Sequence, residues 1–194
     1  MQSYCFFWSL ANIYSNFMVK FTIFMKFVVI LHWKKRNIMK IVLLQVGKTV
    51  NVELQNLIAE YEKRLKHYTK FEMTVIPDLK NTSNMSFDDQ KSREGELLLK
   101  QVSPSDRLIL LDEHGSEYRS VDFARQLNKW LNSGRDVFFA IGGPYGFSRA
   151  VYDRSDGMLS LSQMTFSHQM IRLLFVEQLY RAFTILHNEP YHHE

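Results

Sequence analysis

The sequence contains very little cysteine: Cys5 is the only one among 194 residues. Residues 39–194 therefore have none, which excludes disulfides and cysteine-ligated metal sites from that part of the chain. Proline and glycine are also sparse, at 4 and 8 residues. A content of 46% hydrophobic and 23% charged residues is nevertheless typical of a globular domain, so general disorder is not expected.

Residues 1–38 lack acidic residues, glycine and proline altogether. They carry 5 of the 24 Lys+Arg, which leaves 19 Lys+Arg against 20 Asp+Glu, a net charge of −1, in residues 39–194. Lys20 and Lys26 interrupt the apolar run of about 18 residues that a membrane-spanning helix needs. Because Met39 opens a new strand-like segment, we interpret residues 1–38 as a non-native or disordered extension read from an upstream start. A membrane-associated segment is the alternative.

Strand-like and helix-like segments alternate along residues 39–194. Short apolar runs predict strands at 40–47, 71–77, 107–112, 136–141 and 157–162. Apolar periodicity and the capping residues Asn51, Ser86 and Ser120 predict helices at 52–67, 86–101, 120–132, 148–153 and 168–186. The alternation predicts one α/β domain with an open, mostly parallel sheet and helices on both faces. In such a sheet, ligands bind at the carboxyl ends of the strands.

The sequence IGGPYG, residues 141–146, places three glycines directly after the fourth predicted strand. A dinucleotide fingerprint needs G-x-G-x-x-G after the first strand, and a P-loop needs a lysine after its glycines, so neither pattern fits. Two interpretations stay open: a plain tight turn, or a loop whose bare backbone lets a flat ligand approach. The segment LSLSQMTFSHQM, residues 159–170, suits an adenosine or methionine moiety, or simply caps the final helix.

The final predicted helix has only a narrow polar strip, formed by Gln178, Arg181, Thr184 and Asn188. Because most of its remaining circumference is apolar, this helix should be buried on two sides. We interpret this as burial against a second subunit in a homodimer, and a helix buried deep in one core is the alternative. Histidines also gather late in the chain, but no H-x-x-x-H pair stands on a helix with a carboxylate. We therefore expect no metal site.

Five motifs in order resemble the ribosomal large-subunit methyltransferase H family of SPOUT-class enzymes: MKIVLLQVGK, LLDEHG, AIGGPYGFS, LSLSQMTFSHQMIRLLFVEQLYRA and NEPYHHE. The resemblance covers residues 39–194. It implies a cytoplasmic homodimer with a C-terminal trefoil knot and no membrane attachment. It also implies methyl transfer from S-adenosylmethionine to N3 of a pseudouridine in 23S rRNA on the assembled ribosome. The alternative is a non-catalytic ribosome- or RNA-binding domain on the same fold.

The resemblance also assigns site residues. The cofactor would be bound by Leu111, Gly142, Leu161, Ser162, Gln163, Met164, Thr165 and Phe166. His168 stands where the family has a histidine after the TF pair, with Ser167 where the family often has proline. Pseudouridine N3 must lose its proton, which His192 or His168 could accept, while Arg181 or Arg172 could stabilise the resulting anion.

Overall fold

The structure is a computed structural model that describes residues 39–193. The interpretation of residues 1–38 as a non-native or disordered extension, and its membrane-associated alternative, concern a segment outside the described residues.

Five strands form one sheet, as the apolar runs predicted. They are β1 (Lys40–Val46), β2 (Lys70–Ile76), β3 (Arg107–Glu117), β4 (Val137–Ile141) and β5 (Gly157–Ser160). The order across the sheet is β2-β1-β4-β3-β5, and all four pairings are parallel. The predicted parallel α/β architecture is therefore confirmed. The trefoil knot stays a prediction.

Helices cover both faces of this sheet. They are α1 (Val52–Leu65), α2 (Phe87–Leu99), α3 (Ser120–Leu131), α4 (Arg149–Arg154) and α5 (Met170–Leu186), with a short 3-10 turn at Thr82–Asn84. One core joins α1, α3 and α5 to strand residues such as Leu43 and Phe139. A second core joins α2 and α4 to the alternate strand residues, such as Leu44 and Phe138. The alternation follows from the two-residue period of a strand, which sends neighbouring side chains to opposite faces.

Two of the three predicted helix caps are confirmed. The side chains of Asn51 and Ser86 accept hydrogen bonds from the backbone N–H of Leu54, at 2.8 Å, and of Asp89, at 3.1 Å. The prediction for Ser120 was wrong by one residue, because Arg119 occupies the cap position and Ser120 begins α3.

The strand predicted at 107–112 is longer in the structure, where it spans Arg107–Glu117. Strand β3 continues to Glu117 after an irregular bulge, because both Leu111 and Ser116 pair with Leu159 of β5. A Cβ on Gly115 would lie 2.6 Å from the backbone of Leu159, so only glycine permits this close approach. The residues inserted by the bulge stand at the carboxyl end of the sheet.

Candidate functional site

A cavity of about 630 Å³ opens at the carboxyl ends of β3, β4 and β5. This volume is in the range of small-molecule and cofactor sites. Its walls are residues 111–114, 141–147, 159–162 and 164–168, together with Tyr152 and Ile171. The sequence predicted this location, because loops that follow parallel strands meet at one edge of the sheet.

The glycine loop, residues 142–146, forms one wall of the cavity. Its backbone is folded tightly: the N–H of Gly146 donates to the carbonyl of Gly143 at 3.1 Å, and Gly146 has φ of +80°. A Cβ on Gly142 would lie 3.2 Å from the backbone of Gly146. The loop is therefore a tight turn that also presents bare backbone to the cavity, and the approach of a flat ligand to it stays a prediction.

The segment 161–168 forms the facing wall. Its hydroxyl groups hold its own backbone: Ser160 Oγ donates to the carbonyl of Ser162 at 2.8 Å, and Ser162 Oγ accepts from the N–H of Met164 at 2.9 Å. All but one of the eight predicted cofactor residues line the cavity: Leu111, Gly142, Leu161, Ser162, Met164, Thr165 and Phe166.

Gln163 is the exception among the predicted cofactor residues. Its side chain lies outside the cavity wall, and its amide donates instead to Glu117 Oε2 at 3.4 Å, at the end of β3.

A carboxylate that the sequence did not single out stands on the cavity wall. Asp112 accepts the Tyr152 hydroxyl at 2.6 Å and the backbone N–H of His114 at 2.9 Å. Burial by itself raises the pKa of Asp112, but these hydrogen bonds outweigh it and hold the pKa below the usual range. Asp112 therefore stays ionised beside the cavity, and the neighbouring Glu113 adds a second carboxylate.

The four predicted catalytic residues do not come together within one chain. His168 lines the cavity and is exposed. Arg172 is completely buried, where its guanidinium donates to the Val46 carbonyl at 2.7 Å and to Thr49 Oγ1 at 2.9 Å. Arg172 is thus directed into the loop that follows β1, and its side chain is not part of the cavity wall.

Arg181 and His192 lie near the far end of α5. Arg181 is ten residues beyond Ile171, the last wall residue, which corresponds to about 15 Å along a helix. Its guanidinium pairs with Glu177 at 2.5 Å and lies 4.7 Å from the ring centre of Tyr191.

The C-terminal segment folds back along α5 at this point. The Tyr191 hydroxyl donates to Glu177 Oε1 at 3.1 Å, and it lies 3.3 Å from the hydroxyl of Tyr61 on α1. Both ring nitrogens of His192 are buried without a hydrogen-bond partner among the described residues.

Two further features can be judged for residues 39–193, a metal site and a membrane-spanning helix. Within this range, no group of three or more His, Cys, Asp or Glu side chains is placed to hold a metal ion. None of the helices described there is long and apolar enough to cross a membrane.

Comparisons with known proteins agree with this architecture. The family model described as "Predicted SPOUT methyltransferase" matches residues 39–192. Ribosomal RNA large subunit methyltransferase H of Flavobacterium johnsoniae is 56% identical over 157 residues, which cover 80% of this chain and 100% of that protein. The proteins of the same name from Flavobacterium psychrophilum and Phocaeicola vulgatus are 57% and 55% identical, with the same coverage.

A solved structure of a probable methylase family protein from Haemophilus influenzae Rd KW20 has a TM-score of 0.45 and 13% identity, covering 78% of this chain and 67% of that one. This likeness is too slight to add to the argument. The family match and the three relatives are sufficient by themselves: the chain belongs to the SPOUT methyltransferase family, among the relatives named ribosomal RNA large subunit methyltransferase H.

Proposed function

We propose that the protein methylates N3 of a pseudouridine in 23S rRNA, on the assembled ribosome, with S-adenosylmethionine as the methyl donor. The observation that carries this proposal is the cavity at the carboxyl ends of β3, β4 and β5, in a chain more than half identical to proteins named as ribosomal RNA large subunit methyltransferases. Since ribosomes are the substrate, we also propose a cytoplasmic location.

The charge of the cavity wall fits S-adenosylmethionine better than a phosphate-bearing cofactor. Among the described residues, the wall contains the carboxylates of Asp112 and Glu113 and neither lysine nor arginine. A pyrophosphate there would lack a cationic partner, whereas a sulfonium and an ammonium group would find two carboxylates. The bare backbone of Gly142 and the apolar Leu111 and Phe166 suit the flat adenine ring.

S-adenosylmethionine, when bound, supplies a methyl group that is already activated by the sulfonium. The protein therefore has mainly to align the two reactants and to handle one proton. The bound cofactor would supply the methyl carbon and retain the sulfur, and the protein would have to take the proton that N3 gives up. His168 is the base candidate that lines the cavity, and His192 is the second.

The position of Arg181 along α5 supports a homodimer. If Arg181 stabilises the anion at N3, its guanidinium must reach a cavity from which it is separated by about 15 Å in its own chain. We propose that Arg181 and His192 of one subunit act at the cavity of the other. Met164 and Met170 are 73% and 40% exposed beside the cavity, where a second subunit would cover them.

Arg172 has a different proposed role, because its guanidinium is bonded to Val46 and Thr49 away from the cavity. We propose that it holds the loop after β1, which Gln169 also holds by accepting the N–H of Val50 at 3.0 Å. Arg172 thereby fixes the start of α5 relative to β1, and with it the position of His168.

One assay tests the proposal directly. Ribosomes from a strain lacking the enzyme are incubated with the protein and S-adenosylmethionine carrying a tritiated methyl group, and the modified nucleoside is identified by mass. We expect N3-methylpseudouridine from 70S ribosomes and far less from isolated 23S rRNA. A domain with almost no net charge has to recognise its substrate by the shape of the assembled ribosome. Cofactor binding in calorimetry without any methyl transfer would instead favour the non-catalytic alternative.

A further inference from the structure

We propose that the stacked rings of Phe87 and Tyr145 form a platform for an unpaired base of the RNA substrate, next to the nucleotide that is methylated. The inference rests on the proposed function and adds a substrate contact to it. Neither ring was singled out by the sequence as part of a site.

The two rings are stacked on each other and are both open to solvent. Their centroids are 4.2 Å apart and their planes differ by 26°. Phe87 is nevertheless 63% exposed and Tyr145 is 43% exposed. Because the facing sides of the rings are covered, this exposure belongs to the outer faces and edges. A large exposed aromatic surface beside a cavity marks an interaction site more often than a stability element.

Both rings stand on fixed supports. Phe87 is the first residue of α2, whose N-terminus is held by the hydrogen bond from the backbone N–H of Asp89 to Ser86 Oγ at 3.1 Å. Tyr145 belongs to the glycine loop, which the Gly146–Gly143 hydrogen bond closes. A rigid platform binds a flat partner with little loss of conformational entropy.

The position of the platform favours a base as its occupant. Tyr145 lines the cavity itself, so a group that stacks beside it lies next to the reacting nucleotide. Proteins recognise accessible RNA nucleotides largely by stacking bases on aromatic rings, and any base offers a flat face for this contact.

The charge of the domain also favours stacking. Residues 39–194 have 19 Lys+Arg against 20 Asp+Glu, so the domain as a whole does not attract phosphates strongly. The acid next to the platform does not repel RNA strongly, because Asp88 is paired with Lys91 at 2.8 Å. Stacking is independent of net charge and can supply the missing affinity.

Three substitutions at one position separate stacking from apolar contact. Phe87→Leu keeps an apolar side chain but removes the ring, Phe87→Ala removes both, and Phe87→Trp keeps a flat face. We expect the Leu and Ala variants to raise KM for 70S ribosomes by about 5- to 100-fold, the range measured for lost base stacking. Turnover at saturating ribosomes and the Kd for S-adenosylmethionine stay near the wild-type values, and Phe87→Trp restores most of the lost affinity.

Binding is measured as well, by co-sedimentation of each full-length variant with 70S ribosomes, so that the platform is tested without turnover. A wild-type protein that binds ribosomes but transfers no methyl group would refute the proposed function while still testing the platform. An unchanged KM and unchanged binding for Phe87→Ala, or wild-type behaviour of Phe87→Leu, would overturn the platform. So would dissociation of the Phe87→Ala protein into monomers in analytical ultracentrifugation, since the rings would then be a subunit contact.

Discussion

The carboxylate of Glu94 lies against the α-carbon of Gly143, at the place that a Cβ would occupy. Glu94 projects from α2 and is only 5% exposed. Its Oε1 accepts the amide of Gln90 at 2.8 Å, while its Oε2 has no hydrogen-bond partner among the described residues. A buried carboxyl group thus supports the glycine loop from behind, on the side opposite the cavity wall.

The first prediction concerns Gly143→Ala. The added methyl group would lie 2.3 Å from Glu94 Oε2, so either the loop or the Glu94 side chain, whose Oε1 is bonded to Gln90, has to shift. We expect a loss of about 1–3 kcal/mol in the free energy of unfolding. Because the same loop lines the cavity, we also expect the Kd for S-adenosylmethionine to rise about tenfold, the equivalent of 1.4 kcal/mol of strain. Urea unfolding and calorimetry measure the two effects.

Gly134→Ala is the matched control for that variant. Gly134 has φ of +75° and no atom near the place of a Cβ, so alanine there costs only backbone strain of about 1 kcal/mol. It lies beyond the end of α3, away from the cavity wall, and cofactor affinity should be retained. Equal losses of affinity in the two variants would show that general destabilisation, and not the shape of the loop, is responsible.

The second prediction is a pH dependence of stability that Glu94→Gln removes. Burial raises the pKa of Glu94, the hydrogen bond from Gln90 opposes this, and the nearby Asp78 raises the pKa further. The folded state therefore holds the proton more tightly than the unfolded state, whose pKa is about 4.3. Stability from this group is complete below the unfolded pKa and is lost as the pH rises through the folded pKa.

We therefore expect Glu94→Gln to match the wild type near the unfolded pKa and to become the more stable protein at higher pH. Urea unfolding from acid to neutral pH measures the difference. Glu96→Gln is the control, because Glu96 is an exposed residue of the same helix and is solvated in both states. A constant difference between Glu94→Gln and wild type across the range would contradict the prediction.

The third prediction tests whether Arg172 stabilises the fold or takes part directly in the reaction. Arg172→Met leaves the buried Val46 carbonyl and Thr49 without their donor, which costs about 2–4 kcal/mol of folding free energy. Arg172→Lys should lose a large part of the same stability, because an ammonium group cannot reproduce two bonds from a planar guanidinium. If Arg172→Lys unfolded like the wild type but no longer turned over substrate, a direct role in the reaction would replace the structural one.

The sequence predicted the sheet and the position of the cavity well. Short apolar runs such as 40–47 and 136–141 predicted the strands. Because the strands are parallel, the loops that follow them meet at one edge of the sheet, and this predicted the position of the cavity. The sequence was less informative where side-chain direction decides the outcome. Gln163 lies in the middle of the predicted cofactor run, yet its side chain is bonded to Glu117 outside the cavity wall.

Contacts between residues distant in sequence explain the rest of what was missed. Asp112 meets Tyr152 across 40 residues, and Glu94 meets Gly143 across 49. Arg172 was expected to stabilise the anion at N3, but its buried guanidinium is bonded to the Val46 carbonyl at the end of β1. No local pattern encodes these pairings, because they depend on how α2, α4 and α5 pack on the sheet.

The last prediction tests whether His168 and Arg181 act together across two subunits. His168→Ala and Arg181→Ala homodimers are each expected to bind S-adenosylmethionine but to turn over poorly. When the two variants are mixed and allowed to exchange subunits, each mixed dimer has one site with both side chains intact if the site is shared between subunits. Half of the dimers are then mixed, so about a quarter of the wild-type activity should return. If both residues acted within one chain, every site in the mixed dimer would lack one of them and no activity would return. The double variant, mixed with wild type in the same way, controls for exchange.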